Sequence, residues 1–181
     1  MKVFVVIVTF NRIELLKRSI ESVRANQPFG IIVINNGSTD STKEWLDSQP
    51  DLIVIHQKNV GGSGGFYTGI KHAYNIGADW IWCMDDDVFP RADCLKNLLD
   101  NATDKNIGIL APRRIMDGKI FCHDFQGYNL TRPFKSMYRQ RLVNEQVTSP
   151  TFIAGTAFEG PFIRREVVEK IGLPNKDLFI F

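Results

Sequence analysis

The chain has 181 residues, 44% hydrophobic and 23% charged, with 22 Lys and Arg against 20 Asp and Glu for a formal net charge of +2. That length supports one domain with a real core, or one domain and an incomplete second part, and the charge balance argues against a nucleic-acid binder. Cys83, Cys94 and Cys122 are odd in number and form no CxxC pair, which excludes a disulfide or zinc framework and fits a reduced cytosolic chain; no apolar stretch reaches bilayer-spanning length, and the opening MKVFVVIVTF lacks a signal-peptide cleavage site.

Residues 3–8, VFVVIV, read as a strand buried on both faces. Ile13, Leu16, Ile20 and Val23 then fall at helical spacing, with Asn11 as the expected cap. A second buried strand, IIVI at 31–34, breaks at Asn35-Asn36-Gly37-Ser38, and a short helix follows over 42–46. A third strand is LIVI at 52–55. The run GGSGG, Gly61 to Gly65, is expected as a loop leading into a helix marked by Phe66, Ile70, Ala73 and Tyr74. The fourth strand is WIWCM at 80–84, followed by a helix over about 91–99. Four alternations of strand and helix with short connections predict an α/β, doubly wound, mostly parallel sheet.

Beyond Ile107 the pattern changes. Asp117-Gly118 between apolar runs predicts a hairpin turn. Residues 134–142 are basic and aromatic and take no assignment, residues 151–163 predict a strand, and residues 165–171 a final helix. The chain therefore divides at about residue 105 into a nucleotide-fold-like half and a mixed half.

In an open parallel sheet, ligands bind outside the carboxyl ends of the strands. Four polar or glycine-rich segments leave those ends: Thr9-Phe10-Asn11-Arg12, residues 35–40, Asn59-Val60-Gly61-Gly62, and Asp85-Asp86-Asp87. Extended geometry through the aspartates would put Asp85 and Asp87 on one side and Asp86 on the other. Two carboxylates on one side raise each other's pKa unless a cation compensates, and a hard divalent ion, Mn²⁺ or Mg²⁺, is the natural partner. Two carboxylates hold such an ion weakly, so the remaining ligands would be water and substrate phosphates. The competing reading is a solvated acidic turn that caps the next helix.

Other motifs fail. A calcium loop counted from Asp85 would need Gly and Glu where Pro90 and Lys96 stand. A haloacid-dehalogenase-type Asp-x-Asp would follow the first strand, with Thr or Val where Phe89 stands. A dinucleotide fingerprint from Gly62 meets Tyr67, and no phosphate-binding Gly-Lys-Ser/Thr exists. The glycines either let backbone approach an anion at a helix start or form a flexible, tightly packed turn. Arg12 is either a phosphate or ribose ligand or a surface side chain. Asn35 and Asn36 either meet a pyrimidine edge or serve turn chemistry. His56, His72 and His123 are scattered, and Glu159 stands between a loop role and the site.

Taken together, VTFNR (8–12), VINNGSTDST (33–42), NVGGSGGFYTGI (59–70) and DWIWCMDDDVFP (79–90) resemble glycosyltransferase family 2, in its galactofuranosyl- and rhamnosyltransferase-like branch. The resemblance implies a GT-A fold over a single domain, 1–181, with residues 1–105 binding nucleotide and residues 106–181 forming an incomplete acceptor side. It implies a metal-dependent inverting transfer of a sugar from a UDP- or dTDP-sugar to a saccharide or lipid-linked acceptor. Thr9, Phe10, Asn11, Arg12, Asn35, Asn36, Asn59, Gly61, Gly62, Asp85 and Asp86 would bind the donor, and Asp85 and Asp87 the Mn²⁺ or Mg²⁺. Thr156 and Glu159 would face the acceptor. At Asn35 many members carry an Asp that contacts uracil; Asn keeps an acceptor and removes a charge.

The general base is expected beyond Phe181, since the resemblance places it just after a Leu-Phe-Ile-like strand. The apolar ending LFIF is the physical ground for expecting a truncated chain. A cytoplasmic protein is expected, brought to the inner membrane face by a lipid-linked acceptor through the basic residues 132–141. The alternatives are a nucleotide-sugar-binding module without turnover and a nucleotidyltransferase, which would need a Gly- and Arg/Lys-rich loop in place of TFNR.

Overall fold

The structure is a computed structural model, and it describes residues 1–121, 149–153 and 155–179. Cys122, His123, the basic residues 132–141, the unassigned residues 134–142 and Phe181 lie outside the described residues.

Among the described residues there are five helices and eight strands. The strands are β1 (Val3–Thr9), β2 (Gly30–Asn35), β3 (Leu52–His56), β4 (Trp80–Asp85), β5 (Ile109–Leu110), β6 (Arg114–Met116), β7 (Lys119–Phe121) and β8 (Phe162–Arg164). The helices are α1 (Ile13–Arg24), α2 (Thr42–Asp47), α3 (Gly61–Asn75), α4 (Cys94–Asn101) and α5 (Arg165–Ile171). One sheet has the order β3-β2-β1-β4-β8-β5, with β3, β2, β1 and β4 parallel. β8 runs antiparallel to both β4 and β5.

Apolar side chains on both faces explain why the four parallel strands sit in the middle. Val3, Val5 and Ile7 join Ile31, Val33, Trp80, Trp82 and Met84 on one face, under Leu16, Ile20 and Val23 of α1 and Leu95 and Leu98 of α4. Phe4, Val6 and Val8 join Ile32, Ile34, Ile81 and Cys83 on the other, under Phe66, Ile70 and Ala73 of α3. Burying each such side chain contributes about 1.5–3 kcal/mol. The antiparallel extension is fastened by aromatic contact: Trp80 and Phe162 stack with centroids 4.4 Å apart, and Trp82 Nε1 donates to the Gly160 carbonyl at 3.0 Å.

Several expectations need correction. The glycine run is not a loop; it forms the first turn of α3 itself. A Cβ on Gly65 would meet Val8 Cγ1 at 2.6 Å, and one on Gly69 would run into Val6 Cγ1, so glycine lets the helix lie close on β1. Asn11 does not cap α1. The residue before that helix is Arg12, with no side-chain cap, and Asn11 has φ +54°. Its backbone N–H donates to Ser38 Oγ at 3.0 Å, and its Oδ1 accepts from the Thr39 N–H at 2.7 Å. α4 starts at Cys94, three residues later than expected. Of residues 151–163, the described part is irregular up to Phe162, where β8 begins. The Asp117-Gly118 hairpin is present, with both residues at positive φ, as a two-residue turn between β6 and β7 requires.

Among the described residues, no helix is long and apolar enough to cross a membrane.

Candidate active site

The sheet order reverses direction at β1: β2 and β3 lie to one side of it, β4 to the other. Such a switch point opens a crevice at the carboxyl strand ends. Register fixes what stands there, since Thr9 is paired with Asn35 and Val8 with Asp85. Thr9 and Asn35 are buried, whereas Phe10, Asn11 and Arg12 are exposed.

β4 ends at Asp85, and Asp86 and Asp87 form a turn, so the expected alternation of the three aspartates does not continue past Asp85. Asp86 folds inward. Its Oδ2 accepts from Thr9 Oγ1 at 2.7 Å, and it is 4% exposed. Arg12 Nη1 lies 3.5 Å from Asp86 Oδ1 and 2.9 Å from Asp87 Oδ2. Burial raises the Asp86 pKa, opposed by the Thr9 hydroxyl, Arg12 and the Phe10 backbone. A charge-assisted link therefore joins the ends of β1 and β4.

Asp85 is placed differently. No hydrogen bond to its side chain occurs among the described residues. Burial, followed by the charges of Asp87, Asp86 and Glu159, raises its pKa to about 7, with Arg12 opposing. It is a half-buried carboxyl with three other acids close enough to act on it. Glu159, from the loop before β8, is ion-paired with Arg114. Asp87, Phe89, Arg114 and Glu159 line one cavity of about 870 Å³ between α4 and residues 110–116. The acidic turn thus opens into a space large enough for a small organic ligand.

A second cluster sits at the ends of β2 and β3. Asn36 is buried and fully used: Nδ2 donates to Asn59 Oδ1 at 3.2 Å and to the Gly61 carbonyl at 3.0 Å, and Oδ1 accepts from Gln57 Nε2 and the Val60 N–H. Asn35 bonds His56 and the Ser38 N–H. The amides that open α3 are also engaged. The Gly61 N–H meets Asn59 Oδ1, and the Gly62 N–H meets the Phe179 carbonyl. Gly61, at φ +77°, leaves room for Phe179, whose backbone a Cβ would overlap.

The structure thus brings Thr9, Arg12, Asp85, Asp86 and Asp87 together, with Glu159 close by, and gathers Asn35, Asn36, Asn59, Gly61 and Gly62 beside them. Among the described residues Thr156 has no hydrogen bond to either group; its hydroxyl reaches the Ala157 carbonyl at 3.5 Å. Arg114 and the role of His56 escaped the sequence reading. His56 carried a usable signal, since it ends the strand next to the one that Asn35 ends.

The glycosyl transferase family 2 model matches residues 4–172. The chain belongs to glycosyl transferase family 2. Within this family it is 30% identical over 188 residues to the galactofuranosyltransferase GlfT1 of Mycolicibacterium smegmatis, covering 97% of this chain and 60% of that protein. It is 31% identical over 190 residues to GlfT1 of Mycobacterium tuberculosis, covering 98% and 60%. The chain therefore spans about 60% of the length of these relatives.

Solved structures agree on the GT-A-like fold. The mannosyltransferase PcManGT from Pyrobaculum calidifontis, in complex with GDP-Man and Mn²⁺, superposes with a TM-score of 0.63 at 19% identity, over 97% of this chain and 48% of that one. S. aureus TarS 1-349 in complex with UDP superposes with a TM-score of 0.68 at 16% identity, over 99% and 52%.

Proposed function

We propose that this chain carries the donor-binding part of a metal-dependent inverting glycosyltransferase. It would take a sugar from a UDP- or dTDP-sugar and pass it to a saccharide or lipid-linked acceptor. The observation that carries this reading is Asp85: a half-buried carboxyl without a hydrogen-bond partner among the described residues, raised to about 7 by burial and neighbouring acids, at the switch point of a family 2 fold. The PcManGT complex with GDP-Man and Mn²⁺ supports it from outside the chain.

The donor set fits Mn²⁺ or Mg²⁺. Asp85 and Asp87 offer hard carboxylate oxygens, and their mutual repulsion is what a divalent cation relieves. Among the described residues no three acidic, His or Cys side chains stand ready as a metal group, so the other ligands would come from the diphosphate and water. When bound, the ion would supply positive charge against the negative charge that develops on the leaving diphosphate.

The chain's own residues do the rest. Asp86 fixes Thr9 and Arg12 and so sets the distance between the ends of β1 and β4. Arg12 is exposed enough to turn its guanidinium onto the diphosphate. The cavity beyond Asp87 would receive the sugar and the acceptor, with Glu159 and Arg114 on its wall. The basic residues 132–141 would meet a membrane surface that carries a lipid-linked acceptor.

Calorimetry of UDP and dTDP with and without Mn²⁺ tests this reading. Binding should require the metal and be lost when Asp85→Asn and Asp87→Asn are combined. Affinity that ignores both the metal and the double substitution would sink it. Sugar transfer measured alongside separates an enzyme from a module that only binds.

A further inference from the structure

Five polar groups form a row from α2 to the loop after β2, and their chemistry allows a single proton arrangement. The Ser38 backbone N–H lies 3.0 Å from Asn35 Oδ1. An N–H can only donate, so that end of the amide is the oxygen. The other end, Nδ2, is a donor and stands 3.1 Å from His56 Nδ1. That ring nitrogen must therefore hold a lone pair, and the ring proton sits on Nε2. Nε2 in turn donates to Asp47 Oδ1 at 2.9 Å, while Asp47 Oδ2 accepts from Lys43 Nζ at 2.7 Å.

The row explains the amide at position 35. An aspartate there would turn two acceptors toward each other, its carboxylate and the Nδ1 lone pair. The Asn35 amide and a lone pair on His56 Nδ1 are matched; Asp and this tautomer are not. The amide is also locked in direction. Turning it over would set Nδ2 against the Ser38 N–H and Oδ1 against the Nδ1 lone pair, losing both bonds. Each such bond contributes about 0.5–1.5 kcal/mol net, and leaving its partner buried and unpaired costs more. Asn35 is 3% exposed, so water cannot readily replace either partner.

We propose that His56 is a specificity-determining positioning residue, which acts through Asn35 on the base of a pyrimidine nucleoside diphosphate. This rests on the donor reading above. Held in this direction, the amide turns its oxygen toward the loop that carries Ser38 and contacts Asn11, and the one hydrogen bond that this oxygen accepts among the described residues uses one of its two lone pairs. A neutral acceptor suits a base that donates at N3, as uracil and thymine do. It opposes cytosine, whose N3 is itself an acceptor. His56 touches no substrate; together with the Ser38 N–H, it holds the end of the Asn35 amide that a substrate meets.

The test compares UDP with CDP, two ligands of one size that differ in hydrogen-bond polarity at N3. Two variants of His56 separate positioning from general support. Asn places its side-chain oxygen about where Nδ1 stood and keeps an acceptor for Asn35. Gln places its end group about where Nε2 stood, keeps Asp47 and abandons Asn35. By calorimetry with Mn²⁺, His56→Gln should lower the UDP:CDP affinity ratio about tenfold, the value of one hydrogen bond of about 1.4 kcal/mol. His56→Asn should hold the ratio within about threefold of the parent. Long-range ¹H–¹⁵N spectra of the parent should show His56 protonated at Nε2.

Equal ratios in all three proteins, an equal fall in both variants, or a proton on Nδ1 would each overturn the proposal while leaving the donor reading intact. Failure of the parent to bind either nucleotide would overturn both.

Discussion

The guanidinium of Arg12 occupies the carboxylate of Asp87, with Nη1 2.9 Å from Oδ2. A divalent ion at Asp87 would compete for the same oxygen. On the proposed reading, Arg12 would act as counter-ion to Asp87 and would turn to a diphosphate once a metal took that carboxylate. Arg12→Gln removes the competitor. In the absence of nucleotide, Mn²⁺ affinity should rise about two- to fivefold, in keeping with an exposed ion pair of under about 1 kcal/mol. Affinity for UDP with Mn²⁺ should fall about tenfold or more. Electron paramagnetic resonance titration of free Mn²⁺ reads the first effect and calorimetry the second. A drop in Mn²⁺ affinity would show that Arg12 helps the ion and does not compete with it.

Asp85 should make stability depend on pH in the opposite sense to an ordinary salt-bridged aspartate. Its folded pKa is about 7, against 3.8 for an ordinary aspartate. Between those values the folded state holds a proton that the unfolded state has released. Stability is therefore favoured at the acid end and lost as pH rises from about 4 to about 7. Asp85→Asn carries no such penalty. Its melting temperature should match the parent near pH 4 and exceed it by roughly 2–8 °C at pH 8. Calorimetric scans at the two pH values check this; equal differences at both would show that Asp85 ionises normally in the fold.

Asn36 is a sharper structural test than Asn35. Its Nδ2 donates to Asn59 Oδ1 and to the Gly61 carbonyl. Asn36→Asp would replace that donor with an oxygen facing two acceptors, in a buried place. Urea unfolding should show a loss of about 2–4 kcal/mol. A loss below about 0.5 kcal/mol would mean that the loop rearranges at little cost.

Gly69 decides how closely α3 can lie on the sheet. Gly69→Ala gains up to about 1 kcal/mol of helix propensity but drives a methyl into Val6 Cγ1. Overpacking of this kind costs about 1–3 kcal/mol, so the net effect should be destabilising. Gly77, where a Cβ meets nothing within 4 Å, has φ +85°. It serves as the strained but uncrowded comparison. A stabilised Gly69→Ala would show that α3 has room to move off β1.

The four parallel strands were legible because each is a β-branched run bounded by turn residues, a purely local pattern. The four polar strand ends were legible for the same reason, and the topology rule placed them on one edge. The glycine run was misread because glycine is a poor helix former. Its presence in α3 is explained only by Val6 and Val8, more than fifty residues away in the chain. Asn11 was misread because its side chain had a better partner at Thr39 than the local helix start.

By itself, then, the sequence determined the sheet, its likeness to family 2 and the acids at the end of β4, since these depend on periodicity and on residues close in the chain. The tertiary structure decided what each acid does. Asp86 turns inward because Thr9, 77 residues earlier, supplies a hydroxyl, whereas no hydrogen bond reaches the Asp85 side chain among the described residues. The proton on His56 is likewise set by Ser38 and Asp47, through Asn35. Such roles depend on partners brought together by folding, and hydrogen-bond direction across long separations leaves no trace in local spacing.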